Sequence, residues 1–506
     1  MIDFFSFCSA LQQFVVQHPI LMIVLPLVAA PLCVLLGGRQ LTYVLALIVA
    51  WCTFAISMVC LVQVVQTGPI HYEIGNWKPP YGIEYVVDGL SGFVLMFVSF
   101  LGAIVLTYGK VSIDEEIPHS KHYLFYATYL LCMTGLMGMC ITGDLFNVFV
   151  FLEISSLSSY ALISLGKTRR APLAALQYLI LGTIGATFLL IGIGLLYQMT
   201  GTLNMADIAG RLDIQNGGRT LLVAFAFMTI GLFIKMAVFP LHTWLPNAYT
   251  YAPSVVTAFI AATATKISVY AFIRLIWGIF TPDFAFNTHP LDEAMLVVAL
   301  IGIFVASTAA IYQDNIKRLL AFSSIGQIGY MLLGIGLVTV GGLTATIVHM
   351  FNHALIKGGL FMAMGCFALR LGSVKLDDMR GAARTMPWTS TAFAIGGLGL
   401  IGVPLTAGFI SKFVLLTNCF EAGRWQVAVL MLVSSLLALV YVWRVVEVLF
   451  FAEPSEAAAN AKEAPLSMLV PLYVVIGATV LFGIWGHWPM EFASNAAEFL
   501  FAGGDQ

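Results

Sequence analysis

The stretch Gly231-Leu-Phe-Ile-Lys235-Met-Ala-Val-Phe-Pro240 puts a lysine and a proline into one apolar run that starts near residue 219. Proline removes a backbone donor and clashes with the preceding turn, so the run reads as a membrane helix broken close to its lysine. An ionisable side chain at bilayer depth costs about 2.5 to 3.5 kcal/mol even on a lenient insertion scale, which marks Lys235 as a residue kept for use. Lys266, Lys357 and Lys412 fall inside apolar runs of the same kind, and so does Glu153. The run around Lys412 is also interrupted: Gly396, Gly397, Gly399 and Gly402 lead into Pro404 and Gly408, and the lysine follows about one helical turn later.

The rest of the chain fits that setting. Of its 506 residues 60% are hydrophobic and only 9% charged, and apolar stretches of about 20 residues recur from end to end. The expected class is an all-α polytopic membrane protein, one membrane domain over residues 1–506 with about 14 transmembrane helices. The spans are expected to start near residues 19, 41, 89, 121, 145, 173, 219, 253, 293, 320, 343, 388, 425 and 466, so the seventh and twelfth are the broken ones. Discontinuous helices in corresponding positions of two halves point to a transporter built from repeats. Two inverted five-helix repeats are therefore expected, spans 4 to 8 in residues 121–280 and spans 9 to 13 in residues 293–450. On the plainer reading, glycine and proline merely kink these helices.

A net charge of -2 without a basic or acidic tail gives no reason to propose a nucleic acid partner, which leaves lipid, ions and other subunits. The eight cysteines, Cys8 among them, form no C-x-x-C pair, so neither a disulfide framework nor a cluster site is expected. The N-terminus lacks the pattern of a removed signal peptide, and the run beginning near Pro19 should stay as a helix. Lysine and arginine accumulate in alternate loops, among them Lys110, Lys121, Lys167, Arg169, Arg170, Lys317, Arg318, Arg380 and Arg384. The positive-inside bias makes these loops cytoplasmic and puts the N-terminus outside.

Glu153 and Lys235 on neighbouring helices would stabilise each other's charged forms. Separating them favours release of the lysine proton, because desolvation disfavours an unpaired charge. Such a lysine is a candidate proton carrier; the alternative is a static buried ion pair. In the eleventh span His349, His353 and Lys357 are spaced i, i+4 and i+8 and share one helix face. No H-E-x-x-H surrounds the histidines, and the nearby ammonium argues against a bound cation, so proton relay is the better reading. Ser323, Ser324 and Gln327 could hold water beside this ladder, or serve helix packing. Gly166-Lys167-Thr168 follows a membrane span rather than a strand, and Gly192 and Gly194 lie within one, so neither a nucleotide nor a redox cofactor site is supported.

Five ordered motifs carry a resemblance. They are Thr142-Gly-Asp144-Leu-Phe-Asn147 leading to Glu153, Lys235 to Pro240 followed by Leu241-His242-Thr243-Trp244-Leu245-Pro246, Lys317-Arg-Leu-Leu-Ala-Phe-Ser-Ser-Ile-Gly-Gln327, His349-x-x-x-His353-x-x-x-Lys357, and Gly408-Phe-Ile-Ser-Lys412. Over residues 85 to 450 they resemble the antiporter-like subunits of respiratory complex I, membrane-bound hydrogenases and Mrp-type multisubunit cation/proton antiporters. Gly75-Asn-Trp77-Lys-Pro-Pro80, the turn Ala248-Tyr-Thr-Tyr-Ala-Pro253 and Lys412 are most similar to the D-type member of the Mrp antiporters. Complex I's M-type member usually carries an acidic residue and a histidine where Asn247 and Tyr249 stand, and a glutamate at Lys412. N-type and hydrogenase members are nearer competitors.

The resemblance implies that Glu153 and Lys235 form a first switching pair, that Lys266 links the halves, that His349 and His353 pass protons on, and that Lys412 exchanges them with the far side. Asp144 matches a family motif, although its place near a helix end equally fits a cap. The function implied is a proton-conducting subunit of a Na+ or K+/proton antiporter, in complex with other membrane subunits of a bacterial cytoplasmic membrane. A subunit of a redox-driven pump and a non-conducting scaffold are the alternatives.

Overall fold

The computed structural model describes residues 18–212 and 218–503; Cys8 and the reading of the extreme N-terminus fall outside them. In chain order the principal helices are α1 Leu21–Leu36, α2 Arg39–Thr67, α3 Gly89–Glu116, α4 His122–Ile141, α5 Leu145–Ser164, α6 Ala171–Thr200, α7 Gly218–Met236, α8 Trp244–Tyr251 and α9 Ser254–Leu275. They continue with α10 Leu291–Ile311, α11 Ile316–Gly336, α12 Val340–Leu371, α13 Pro387–Ile401, α14 Ala407–Glu421, α15 Trp425–Phe450, α16 Leu466–Ile484 and α17 His487–Phe501.

Twelve helices among the described residues are long and apolar enough to cross a membrane, each starting close to an expected span. The other two expected spans are α1, shortened to 16 residues with Pro26 and Pro31 inside it, and the twelfth, divided into α13 and α14. The seventh is divided as well, into α7 and α8. The chain is thus a multi-pass helical membrane protein with both expected breaks in place.

Two faces can be told apart. On one, an antiparallel hairpin, β1 Ile70–Glu73 and β2 Glu84–Val87, pairs Ile70 with Val87 and Glu73 with Glu84. Tyr85 of this hairpin bridges to Thr142, and Asp144 to Asn204, so the loops before α5 and after α6 gather on the same hairpin face. On the opposite face Asn315 bridges to Lys375, and Arg444 donates to Asp314 (2.8 Å) and to the carbonyls of Ile311 and Gln313.

Several helix starts are written locally. Asp88 accepts from the Ser91 amide while the Ser91 hydroxyl accepts from the Asp88 amide, a reciprocal cap for α3. Asp144, Asn315 and Thr339 cap α5, α11 and α12 in the simpler way. Glycine lets α6 and α7 cross closely: a Cβ at Gly231 would meet the Gly185 carbonyl oxygen at 2.6 Å and the Leu189 amide nitrogen at 2.9 Å. That approach sets Lys235, one turn further along α7, against α5 and α6. Helices α9, α11 and α12 form the enclosed centre, whereas α1 and α15 turn Leu35, Leu436 and Trp443 outward.

Candidate functional site

The first break begins where α7 stops at Met236, and Ala237 takes the left-handed φ of 60°. A residue with a Cβ pays for that conformation, so the break is held by its surroundings. One holding contact is visible: the Trp244 indole donates to the Ile234 carbonyl (2.9 Å), which also accepts from the Ala237 amide (3.1 Å), and so ties the break to the start of α8. Lys235, in the last turn of α7, is buried. Its Nζ donates to the Ser156 hydroxyl at 2.8 Å and reaches Glu153 Oε1 and the Tyr160 hydroxyl, each at 3.5 Å. Glu153, Ser156 and Tyr160 lie at i, i+3 and i+7 along one face of α5. The expected pair is present, but the shortest bond goes to a serine, and Glu153 keeps 22% of its side chain exposed. The ammonium is thus held by two neutral oxygens as well as by the carboxylate.

At the second break α13 ends at Ile401, Gly402 takes φ 89° and Leu405 φ 72°. Lys412 folds back from α14, and its Nζ donates to the carbonyls of Leu400 (3.1 Å) and Ile401 (2.9 Å). These acceptors belong to a helix C-terminus, whose partial negative charge favours a cation. The Tyr330 ring, 4.7 Å from Nζ to its centroid, adds a cation–π contact. Gly402 is needed twice over, for its φ and because a Cβ there would lie 2.9 Å from Lys412 Cδ.

Between the breaks run α9 and α12. Lys266 is fully buried, and its Nζ donates to the Ala261 carbonyl of its own helix (2.5 Å) and to Thr265 (3.4 Å). Its helix packs against α12, which carries Lys357 and His353. Lys357, also fully buried, donates to the Leu320 carbonyl (2.7 Å) and the Ser323 hydroxyl (2.5 Å) of α11. The imidazoles of His349 and His353 stack with centroids 5.9 Å apart, and His349 Nδ1 lies 2.8 Å from the Ser411 hydroxyl, next to Lys412 in the chain. His349 Nε2 and both ring nitrogens of His353 are buried without a protein partner among the described residues. The ladder therefore has three unclaimed hydrogen-bonding positions, an arrangement suited to passing protons. Among the described residues no three His, Cys, Asp or Glu side chains converge as a metal site.

The secondary candidates divide. Ser323 is drawn into the site as a partner of Lys357, whereas Ser324 donates within its helix to the Leu320 carbonyl (3.1 Å) and Gln327 is buried one turn on. Asp144 accepts from the Asn147 amide (2.7 Å) as the cap of α5. Burial raises its carboxyl above the ordinary value, while bonds from the Asn147 and Phe146 amides act against this. The sequence reading assigned Lys317 to a loop, but α11 begins a residue earlier. Its ammonium is buried and donates to the Ala252 carbonyl at the end of α8 (3.1 Å). Lys317 thus holds the far end of the first broken helix much as Lys412 holds the near end of the second.

Another missed pair is Arg274 with Asp88, whose ends lie 186 residues apart in sequence. The Arg274 guanidinium bonds the Asp88 carboxylate and, through Nε, the Tyr270 hydroxyl (3.0 Å). Burial alone would raise the Asp88 carboxyl, but the charge and hydrogen bond of Arg274, with the bonds from Ser91, leave it below the ordinary carboxylate value. Arg274→Met strands this buried carboxylate, with an expected loss of about 3–5 kcal/mol, read as a lower unfolding temperature of the purified protein. A depressed folded-state value means that Asp88 contributes its stabilisation at neutral pH and loses it as the pH falls through that value, beneath the ordinary carboxylate range.

This arrangement has relatives. Residues 142–438 match the family described as NADH:quinone oxidoreductase/Mrp antiporter, TM. The chain is 40% identical over 496 residues to the N-type chain of NADH-quinone oxidoreductase from Desulforudis audaxviator, covering 95% of this chain and 98% of that one. It is 30% identical over 486 residues to the D-type chain of a Na(+)/H(+) antiporter from Bacillus subtilis, covering 95% and 96%. A chain in the structure of an Mrp complex from Dietzia sp. superimposes with a TM-score of 0.88 at 26% identity, over 96% of this chain and 97% of that one. With more than half of its length inside the matching region, the chain belongs to the NADH:quinone oxidoreductase/Mrp antiporter family of membrane proteins, as an antiporter-like subunit with relatives in both the D-type and the N-type branches.

Proposed function

We propose that this chain is the proton-translocating subunit of a multisubunit Na+ or K+/proton antiporter of a bacterial cytoplasmic membrane, with its N-terminus outside. The observation that carries the reading is the line Lys235, Lys266, Lys357 and Lys412, four buried ammonium groups of which only Lys235 has a carboxylate partner among the described residues. Like charges so placed cannot all be held cheaply in a low dielectric, so protonation at one member bears on the next. In this reading the Glu153–Lys235 pair opens, Lys266 passes the disturbance from the first half (121–280) to the second (293–450), the His353 and His349 ladder conducts, and Lys412 exchanges with the far side.

The second reading, a proton-pumping subunit of a complex I-type or hydrogenase-type redox assembly, is favoured by the 40% likeness to an N-type chain. A tagged chain purified from its native membrane in mild detergent separates the two. For an antiporter, the co-purifying proteins are small membrane subunits without redox centres. Recovery of subunits bearing flavin, iron-sulfur clusters or nickel would overturn the antiporter assignment.

A further inference from the structure

Two cavities lie one above the other along the same five helices, α4, α5, α6, α7 and α9. The larger, about 180 Å³, opens beside the hairpin, where the half-exposed His71 imidazole meets Glu84 (2.6 Å). Its wall carries the Asp88–Arg274 pair and the buried Trp277 Nε1, an N–H without a protein partner among the described residues. The smaller, about 20 Å³, is lined by Ser156, Ser159 and Lys235. That is room for about one water with several polar partners.

The floor of the upper cavity and the roof of the lower one are a single apolar layer. Met139 of α4 lines both. On α5 the upper cavity reaches Val148 and the lower one starts at Leu152, one turn on; on α7 the upper reaches Leu232, three residues before Lys235. On α9 the step runs from Ala271 above to Ser268 below.

We propose that the hairpin-side cavity is an aqueous vestibule giving Lys235 access to that face, closed here by an apolar plug of Met139, Leu152 and Leu232. The occupant is water and the protons it carries. A narrow apolar constriction holds no continuous water, so it blocks proton transfer until side-chain movement wets it. Met139, unbranched and with three rotatable bonds, is the plug residue best able to swing aside. Parting of Glu153 from Lys235 one turn below would leave an ammonium in need of solvation and draw water through the layer. This proposal rests on the reading of Lys235 as a proton carrier.

Two measurements on the whole assembly in sealed vesicles test it. Ala271→Cys in a Cys140→Ala background should react with a charged, membrane-impermeant thiol reagent added on the hairpin side and not on the other. Reaction from the opposite side only, or from neither, would overturn the vestibule. Met139→Ser should raise passive proton leak several-fold, and adding Lys235→Ala should remove the increase. If Met139→Ser does not accumulate, Leu152→Thr takes its place. A leak equal to wild type in a variant that accumulates normally would overturn the plug. Labelling from the hairpin side with a raised leak indifferent to Lys235→Ala would leave vestibule and plug standing and remove the carrier role of Lys235, so the two failures are distinguishable.

Discussion

Replacing Lys235 by alanine is expected to bring coupled cation/proton exchange to background while the chain still inserts and assembles. A positioned proton donor or acceptor is worth about 10²–10⁴-fold in rate, and no other ammonium among the described residues lies within bonding distance of Glu153, Ser156 and Tyr160 to replace it. Assembly should survive, because the ion pair that is lost is a long one, 3.5 Å, and Glu153 is not fully enclosed by the helix packing. Exchange is read as cation-dependent collapse of a pH gradient in vesicles, and accumulation by immunodetection. Normal exchange in this variant would sink the relay. Glu153→Gln should do less harm, since Ser156 holds the ammonium at the shorter distance.

Lys412→Ala is expected to cost exchange by a similar factor, and stability as well. The change removes the donor from the carbonyls of Leu400 and Ile401, and leaving buried acceptors without partners costs about 1–3 kcal/mol. Loss of exchange with a lowered unfolding temperature is the expected pattern in detergent-purified assembly. A scaffold that conducts nothing predicts the second effect without the first. Lys412→Arg keeps the charge but presents a planar fork to a seat built for a compact ammonium, so it should recover stability better than exchange.

Both breaks were legible because their causes are local. Pro240 cannot continue a helix, and Gly402 supplies the positive φ that ends α13. The Glu153–Lys235 partnership was legible from cost together with the expectation of neighbouring helices, since Glu153 was the one carboxylate singled out beside four lysines in apolar runs. Its details were not: Ser156 and Tyr160 share a helical face with Glu153, but nothing in the sequence says that α7 passes that face. Arg274 and Asp88 carried no usable signal, because residues so far apart meet only once the helices are packed. The partners of Lys412 were hidden for another reason. They are main-chain atoms, which every residue has, and only the end of α13 makes those of Leu400 and Ile401 available. Lys317 was misassigned by the small uncertainty of a helix start, enough to turn a buried residue into a loop residue.

The seat of Lys412 has one more consequence. The two seats differ in kind: Lys235 has a carboxylate, Glu153, among its partners, whereas Lys412 has main-chain carbonyls. Main-chain carbonyls gain no proton at any pH a cell meets, so between Lys412 and the Leu400 and Ile401 carbonyls only the lysine can exchange one. On the reading proposed above, parting from Glu153 loosens one end of the line, whereas the other is released by movement of α13 against α14 or by proton loss from Lys412 itself.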